Sequence, residues 1–344
     1  MVVALLLALV GTPPFTQGLP RPVDGLNLPA GYVAGPVVPG LREDAVPQGL
    51  AWVAGADGAG ERFLVSHDRP GEAASCVSVL DGANGSLIAV VDLEEPDGRP
   101  HRGHVGGLAA TADDLFVASD GRVLRFPLAP FLADAPPPRL RATAVRRDET
   151  QADYAAARPG LAGDELWVGE FALRRTNPFA REYRTAASHR LTDRAGQAKH
   201  AWVVRSDPAD PTGRVTGLLS VRQRVQGLAF LPGADGGPGE VALSVSYGRA
   251  NRSELAFHRD PTGGPPHRTV TVAGRDVPLW FLDAQSYRRT VDFPPMSEGV
   301  AFVPGSTDRP PRLAVLAESG AEKYRLGGAG PLDLIVLLPI IWRD

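Results

Sequence analysis

Two glutamates in the C-terminal part of the chain could act together as one chemical unit. Glu298 directly precedes Gly299, and Glu318 lies two residues before Gly320. Two carboxylates about 4 Å apart repel by roughly 4 kcal/mol at an effective dielectric constant of 20, so a close pair either keeps a proton or holds a cation. Carboxylate, amide and carbonyl oxygens are the ligands of a hard ion such as calcium. The pair therefore predicts a calcium site. Alternatively, the glutamates have a purely structural role. In that case backbone N–H groups, Arg249 or Arg325 form hydrogen bonds or ion pairs with each glutamate.

Further polar side chains with catalytic or binding chemistry occur along the chain. The imidazole of His67 or His104 could transfer a proton, ligate a metal or simply form a hydrogen-bonded plug. A zinc site would need a third ligand at a recognisable spacing, which His101 and His104 alone do not supply. The candidate set comprises His67 and His104 as catalytic groups; Gln48, Asp68, Asp120, Gln226, Tyr247 and Arg249 as ligand-binding groups; and Glu298, Glu318 and Glu170 as metal ligands.

A short repeat links several of these candidates. A motif of a polar residue or glycine, then Gly, an aliphatic residue and Ala, begins at Gln48, Gly106, Gln226 and Glu298. The interval between the second and third copies is about twice the others, which predicts a degenerate copy between them. The segment 153–157, Asp-Tyr-Ala-Ala-Ala, occupies that place. The chain therefore contains five repeat units.

Each unit continues with the same pattern of strands. A turn follows the motif, and then comes an apolar strand that ends in polar residues. In the first unit two further strands, Cys76–Leu80 and Leu87–Leu93, are joined by a hairpin-type connection, Asp81–Gly85. Four antiparallel strands repeated radially form the blades of a propeller. We predict an all-β, five-bladed β-propeller over residues 21–344, with six blades or a β-sandwich as alternatives.

The two ends of the chain are expected to close the ring. The last unit has three strands, of which the third is Asp333–Leu338, whereas an extended stretch, Tyr32–Val38, precedes the first motif. Pairing these two stretches would complete the last blade with an N-terminal strand.

Blade geometry predicts that the candidate residues meet. The first strand of a blade follows the axis and the second returns antiparallel beside it, so the start of the first and the end of the second share one face. First-strand starts carry Gln48, His104, Gln226 and Glu298. Second-strand ends carry His67, Asp68, Asp120, Glu170, Tyr247 and Glu318. We therefore expect one polar channel mouth, with the recurring glycine leaving room for crowded innermost strands.

Composition excludes several classes of function. The 36 basic and 39 acidic residues give a net charge of −3, which offers no electrostatic footprint for nucleic acid. The single cysteine, Cys76, allows no intramolecular disulfide. The apolar run Val2–Val10 is typical of a secretory signal but too short to span a bilayer, and no Lys or Arg precedes Arg21. We expect residues 1–20 to be signal-like, and the protein to be a secreted monomer without a membrane span.

Several segments carry a resemblance to known propellers. Glu298-Gly299 resembles, distantly, the Glu-Gly pair that opens an innermost strand in the calcium-dependent lactonase superfamily, which includes gluconolactonases and strictosidine-synthase-like propellers. That resemblance implies a calcium ligand at Glu298 and six blades, although the Asn and Asp partners of that superfamily have no clear counterpart here. The chain from about Gln48 onward also resembles secreted actinobacterial propeller-like proteins, in the segments 104–107, 226–228, 246–249, 297–299 and 318–320.

Two functions follow from these patterns. The first is binding of a small molecule, an envelope ligand or a partner at the mouth. The second is metal-assisted hydrolysis of a small ester or lactone, in which Glu298 and Glu318 hold the ion and His67 or His104 moves the proton. The sequence contains no nucleophile elbow, P-loop or dinucleotide fingerprint that would decide between them. A purely structural role of the polar ring is a third possibility.

Overall fold

The structure is a computed structural model that describes residues 15–19, 28–55, 60–159, 163–175, 181–233, 239–325 and 330–340. Of the predicted signal-like segment 1–20, residues 15–19 are described, whereas its apolar run Val2–Val10 lies outside the described residues. Within them, no helix has the length and apolar character needed to cross a bilayer.

Five sheets account for almost all the strands in the described residues. The chain enters with β1 (Val33–Val37), which belongs to the last blade. Blade 1 consists of β2 (Val46–Ala54), β3 (Glu61–Asp68), β4 (Cys76–Asp81) and β5 (Leu87–Glu94). Blade 2 consists of β6 (Gly107–Ala110), β7 (Asp114–Ser119), β8 (Arg122–Pro127) and β10 (Ala144–Arg147). Between β8 and β10 lie the short helix α1 (Ala129–Leu132) and β9 (Arg139–Arg141), which pairs with β5 in parallel.

Blade 3 consists of β11 (Tyr154–Arg158), β12 (Glu165–Gly169), β15 (Ala201–Ser206) and β16 (Val215–Val221). A 3₁₀ turn (Ala187–His189) and a small hairpin of β13 (Leu191–Thr192) and β14 (Ala198–Lys199) separate β12 from β15. Blade 4 consists of β17 (Val225–Leu231), β18 (Glu240–Val245), β19 (Ser253–Arg259) and β22 (Tyr287–Phe293). Its outer hairpin, β20 (Arg268–Val272) and β21 (Arg275–Phe281), joins the edge of blade 3, where β21 runs parallel to β16.

Blade 5 closes the ring with strands from both ends of the chain. It consists of β23 (Ser297–Val303), β24 (Arg312–Ala317), β25 (Leu334–Pro339) and β1. A 3₁₀ turn (Glu318–Gly320) and the short helix α2 (Glu322–Arg325) connect β24 to β25. β1 is antiparallel to β25, with Val33 opposite Leu337, so the predicted closure by an N-terminal strand is confirmed.

The innermost strands form a closed ring. β2, β6, β11, β17 and β23 each contact the next strand of this series, and β23 contacts β2. Each of these strands pairs within its blade on one side only. The protein is therefore a five-bladed β-propeller, and the six-bladed and sandwich alternatives are wrong.

The motif glycines allow the inner strands to touch. A Cβ on Gly49 would lie 2.7 Å from the backbone nitrogen of Leu108, and one on Gly299 would lie 2.5 Å from that of Leu50. A Cβ on Gly107 or Gly227 would likewise lie 2.2 Å or 2.6 Å from a backbone atom of the next inner strand. Non-bonded atoms do not approach so closely without displacement. The prediction that crowding explains the glycine is confirmed in these four blades.

Blade 3 solves the same packing problem in the opposite way. Tyr154 occupies the position of the motif glycine and pairs with Gly169 on β12. A Cβ on Gly169 would lie 2.2 Å from the Tyr154 ring. The small residue has moved to the neighbouring strand, and the phenol fills the space that it leaves. This exchange explains why the third copy of the motif is degenerate.

Candidate ligand-binding site

The polar residue of the motif stands at a β-bulge in three blades. The register shifts at the motif where β2 pairs with β3, β17 with β18 and β23 with β24. A bulge bends the strand locally and redirects a side chain. Gln48, Gln226 and Glu298 are placed by these bulges at the same end of the ring.

The turns that precede the inner strands are strained. Arg224 and Met296, each two residues before a motif position, have left-handed φ angles of 69° and 67°. Such a conformation costs a non-glycine residue of the order of 1–3 kcal/mol and concentrates at functional sites. The backbone carbonyl of Met296 accepts a hydrogen bond from the Glu318 N–H, and that of Arg224 accepts one from Ser246. These bonds tie each strained turn to the end of the second strand.

Glu298 and Glu318 form a hydrogen-bonded carboxyl pair at this end of blade 5. Gln226 Nε2 donates to Glu298 Oε1 over 2.9 Å, and Gln48 Nε2 donates to Glu318 Oε2 over 3.1 Å. Tyr324 of α2 is also hydrogen-bonded to Glu318. The network therefore joins blades 4, 5 and 1 around one buried pair of acids.

Ionisation of the carboxyl pair is disfavoured. Glu298 is only 4% exposed. Burial raises the pKa of Glu298 well above its ordinary value, and the adjacent charge of Glu318 raises it further. Burial also raises the pKa of Glu318, whereas the hydrogen bond from Gln48 lowers it by a smaller amount. When the pair carries one proton, it offers both a hydrogen-bond donor and a negative charge.

Arg249 and Arg325, which the sequence offered as structural partners of the two glutamates, have other contacts. The Arg249 guanidinium lies 4.8 Å from the centre of the Tyr324 ring, and Lys323 Nζ lies 4.8 Å from the same centre. Arg325 pairs with Glu322 and Asp333. Arg249 and Lys323 thus flank the phenol ring of Tyr324, which is hydrogen-bonded to Glu318.

Three aspartates from blades 1, 2 and 3 surround His104. Its Nδ1 lies 3.4 Å from Asp68 Oδ2, and its backbone N–H donates to Asp120 Oδ2 over 2.9 Å. Asp153 accepts the Phe171 N–H over 2.6 Å. Burial raises the pKa of Asp68, and it raises the pKa of Asp153 to about 6. His104 is within electrostatic range of Asp153 and of Glu318, so the aspartates and the carboxyl pair share one opening.

Aromatic rings border the aspartate side of the opening. The Phe171 ring lies 5.3 Å from the Tyr183 ring and 6.3 Å from the Tyr247 ring, centre to centre. Phe171 also donates its N–H to Asp153, so the aromatic group directly adjoins a carboxyl group. The predicted ligand-binding residue Tyr247 therefore stands on the blade 4 side of this opening.

Two predicted site residues point elsewhere. His67 is fully buried inside blade 1, where its Nε2 is 2.9 Å from Ser78 Oγ and its ring packs edge-on against Phe15. Burial lowers its pKa to about 3. The expectation that His67 reaches the mouth is wrong, because successive side chains on a strand face opposite sides and Asp68 faces the mouth.

Glu170 is also withdrawn from the Glu298 pair, although its charge helps to raise the pKa of Asp153. It is buried in blade 3, where its Oε1 lies 2.7 Å from His189 Nδ1 and accepts the Trp202 N–H over 3.1 Å. The His189 ring stacks on Trp202 with centres 4.0 Å apart. Glu170 anchors the segment between β12 and β15 and does not join the Glu298 pair as the predicted third metal ligand.

Sequence reasoning missed several residues of the site. Asp153 occupies the polar position of the degenerate motif, and that position alone was the available signal. Phe171, Lys323 and Tyr324 follow second strands in segments without a repeat, and no sequence pattern pointed to them.

The arrangement does not fit a calcium ion as it stands. No group of three or more His, Cys, Asp or Glu side chains that could hold a metal occurs in the part of the chain that the structure describes. Calcium takes six to eight oxygen ligands, whereas here amide N–H groups are directed at the two glutamates. A bound calcium ion stays a prediction from the sequence.

Comparison with known proteins finds a distant structural likeness and no sequence match. No protein-family model and no curated protein sequence matches the chain. Among solved structures, a glutaminyl cyclase of Myxococcus xanthus is similar over 90% of this chain and 97% of that chain, with 12% sequence identity and a TM-score of 0.45. The five-bladed β-propeller fold of this chain is shown by its own sheets and by the closed ring of its inner strands.

Proposed function

We propose that this opening binds a small ligand carrying a positively charged group, such as an ammonium. The observation that supports the proposal is the convergence of five acidic side chains from four blades. They are Asp68, Asp120, Asp153, Glu298 and Glu318.

The physical reason is the cost of crowding these acids together. Burial raises the pKa of Asp68, Asp153, Glu298 and Glu318, so negative charge is disfavoured in the free protein. A cation at the opening would favour the ionised forms and release protons to the solvent. An ammonium needs only a few oxygen acceptors, so the site suits it better than calcium.

The rim groups suggest how such a ligand would be oriented. The rings of Phe171 and Tyr247 suit the apolar part of an organic cation next to Asp153. On the other side, Lys323 and Arg249 could contact an acceptor oxygen of the ligand, because both carry hydrogen-bond donors and positive charge. The proposed ligand is therefore a small ammonium compound with a polar oxygen at its other end.

The test compares a cation with a neutral molecule of the same shape. Choline and ethanolamine should raise the melting temperature and bind in calorimetry with proton release, whereas 3,3-dimethylbutan-1-ol should not bind. Asp153→Asn should weaken binding about tenfold, equivalent to about 1.4 kcal/mol. The matched control is Asp97→Asn, an exposed aspartate paired with Arg99. Equal binding of the neutral alcohol, or no effect of Asp153→Asn, would contradict the proposal.

Calcium is the competing occupant and needs its own measurement. Melting curves with EDTA and with added calcium distinguish the two ions. If the chelator lowers the melting temperature by several degrees and calcium restores it, the site is a metal site and the ammonium proposal is wrong.

Hydrolysis of a small ester or lactone is a second candidate. It is favoured by the raised pKa of Glu298, because a buried acid with a raised pKa can protonate a leaving group. His104 at the same opening could accept a proton from water. A panel of small esters and lactones tests this candidate, and turnover should be lost in Glu298→Gln. No turnover by the unmodified protein would remove it.

A further inference from the structure

The segment between β12 and β15 encloses a cavity of about 340 Å³ beside the acidic opening. Leu173 and Tyr183 on its wall exchange two backbone hydrogen bonds, of 2.9 and 3.0 Å. The β13–β14 hairpin supplies further wall residues, and the N–H of His200 directly after it donates to the Val221 carbonyl over 2.9 Å. Backbone hydrogen bonds therefore fix both parts of the wall, and β16 of blade 3 anchors the hairpin.

The charged residues around this cavity are mostly basic. Within the described part of the chain, five basic residues and one acid line it: Arg174, Arg184, Arg190, Lys199, His200 and Glu182. Two of these cations already have a carboxylate. Arg184 Nε lies 2.9 Å from Glu182 Oε2, and the buried Lys199 Nζ lies 3.3 Å from Asp193 Oδ2.

Arg174 and Arg190 are the cations that remain. Both side chains are exposed, and neither guanidinium has a carboxylate partner among the described residues. They come from different elements, since Arg174 directly follows the bridge residue Leu173 and Arg190 directly follows the 3₁₀ turn Ala187–His189. The wall therefore carries two positive charges that the protein itself does not neutralise.

The imidazole of His200 shows that these charges converge. Burial lowers the pKa of His200, and the positive charges of Arg174, Lys199 and Arg190 lower it further. Lys199 is occupied elsewhere, because its Nζ donates to the Leu282 carbonyl over 2.7 Å besides pairing with Asp193. One half-buried ring thus lies within electrostatic range of both unpaired guanidiniums.

The ligand that fits two such charges at one point is a compact dianion. A phosphate group carries a charge of about −1.5 to −2 at pH 7 on a single set of oxygens. The planar fork of an arginine matches the geometry of phosphate oxygens. A dicarboxylate carries the same charge but divides it between two separated groups. The volume of about 340 Å³ is at the small end of the range of ligand pockets, which suits a small compound.

We propose that this cavity binds a phosphate group, either as the free ion or as part of a small phosphate ester. Arg174 and Arg190 hold the phosphate oxygens, and the neutral His200 and the hydroxyl of Thr192, which also line the cavity, can each donate a further hydrogen bond. None of the five acids of the opening lines this cavity, so its occupancy does not depend on the function proposed for the opening.

The first test compares three dianions by calorimetry at constant ionic strength, since salt screens exposed charges. Inorganic phosphate or glycerol 2-phosphate should bind with one site per chain, and succinate should bind at least fivefold more weakly than the better phosphate compound. The stronger of the two phosphate compounds shows whether the group is free or esterified. No binding of either at about 10 mM, or equal binding of succinate, would overturn the proposal.

Substitutions then locate the bound phosphate. Arg174→Gln and Arg190→Gln should each weaken phosphate binding at least fivefold, whereas Arg288→Gln, an exposed arginine on β22, should leave it unchanged. Glu182→Gln should tighten binding about threefold, because it frees the Arg184 guanidinium. A merely structural role of Glu182 would not produce this gain. Binding that is unchanged in both cavity arginine variants, or that weakens in Glu182→Gln, would show that phosphate binds elsewhere.

Discussion

Replacing Glu298 with glutamine should make the protein less sensitive to rising pH. The amide has nearly the same shape as the protonated carboxyl. Its oxygen can accept the bond from Gln226, and its NH₂ group can donate to Glu318, so the network between the blades is preserved. The substitution therefore imitates a Glu298 that never loses its proton.

The magnitude follows from the titration of the pair. Because the folded-state pKa of Glu298 is raised, its stabilising contribution is complete below its ordinary pKa of about 4.5 and is lost as pH rises toward the folded-state value. The loss is about 1.4 kcal/mol per pH unit. The repulsion of two unit charges about 4 Å apart, roughly 4 kcal/mol at an effective dielectric constant of 20, sets the scale of the loss.

The assay is denaturant unfolding of both proteins between pH 4.5 and pH 8. The free energies of unfolding should agree at the acid end, and the glutamine variant should become progressively more stable as pH rises. Glu72→Gln is the control, since the Glu72 side chain is 87% exposed and pairs only at the surface with Arg102. Parallel curves for the parent protein and Glu298→Gln across this range would refute the protonated pair.

Three further substitutions test the local packing and charge. Asp153→Asn should match the parent protein near pH 4 and be up to about 3 kcal/mol more stable above pH 6, since the pKa of Asp153 is raised to about 6; a constant difference would contradict this. Gly169→Ala should cost about 1–3 kcal/mol because its Cβ would overlap the Tyr154 ring, whereas Gly263→Ala, with no atom within 4 Å, should change little; equal effects would disprove the overlap. Tyr154→Phe should be neutral or stabilise by about 1 kcal/mol, because the buried hydroxyl forms no hydrogen bond within the described residues, and a clear loss of stability in thermal melts would indicate a partner.

The blade count and the ring closure could be predicted from the sequence because they rest on strict local constraints. Backbone contact at the axis excludes a Cβ, so glycine recurs at Gly49, Gly107, Gly227 and Gly299 whatever the blade does elsewhere. The unpaired extended stretch at each end of the chain likewise had a single partner available. The outer hairpin β20–β21 could not be placed in this way, because its alternating pattern is the same whichever sheet edge receives it.

Strand alternation, applied residue by residue along β3, separates the side chains that reach the site from those that are buried inside the blade. Ser66 and Asp68 lie on one side of β3, and their side chains bond to backbone atoms of Val105 in blade 2. His67 between them must face the other way, a consequence of the two-residue period of a strand. Tyr324 lies beyond reach of this reasoning, since the turn and helix after β24 have no counterpart in the other blades.

The uneven distribution of charge around the opening has a simple origin in blade 2. Its motif begins with Gly106 instead of a polar residue, and a Cβ there would lie 2.1 Å from the backbone oxygen of Asp153. Blade 2 therefore cannot present a side chain from the motif itself. His104 and Asp120, from the approach to β6 and the end of β7, provide its polar groups instead. One missing Cβ thus separates an amide–carboxyl network on blades 4, 5 and 1 from an imidazole ringed by aspartates, and this asymmetry gives the proposed binding site a direction on a nearly five-fold scaffold.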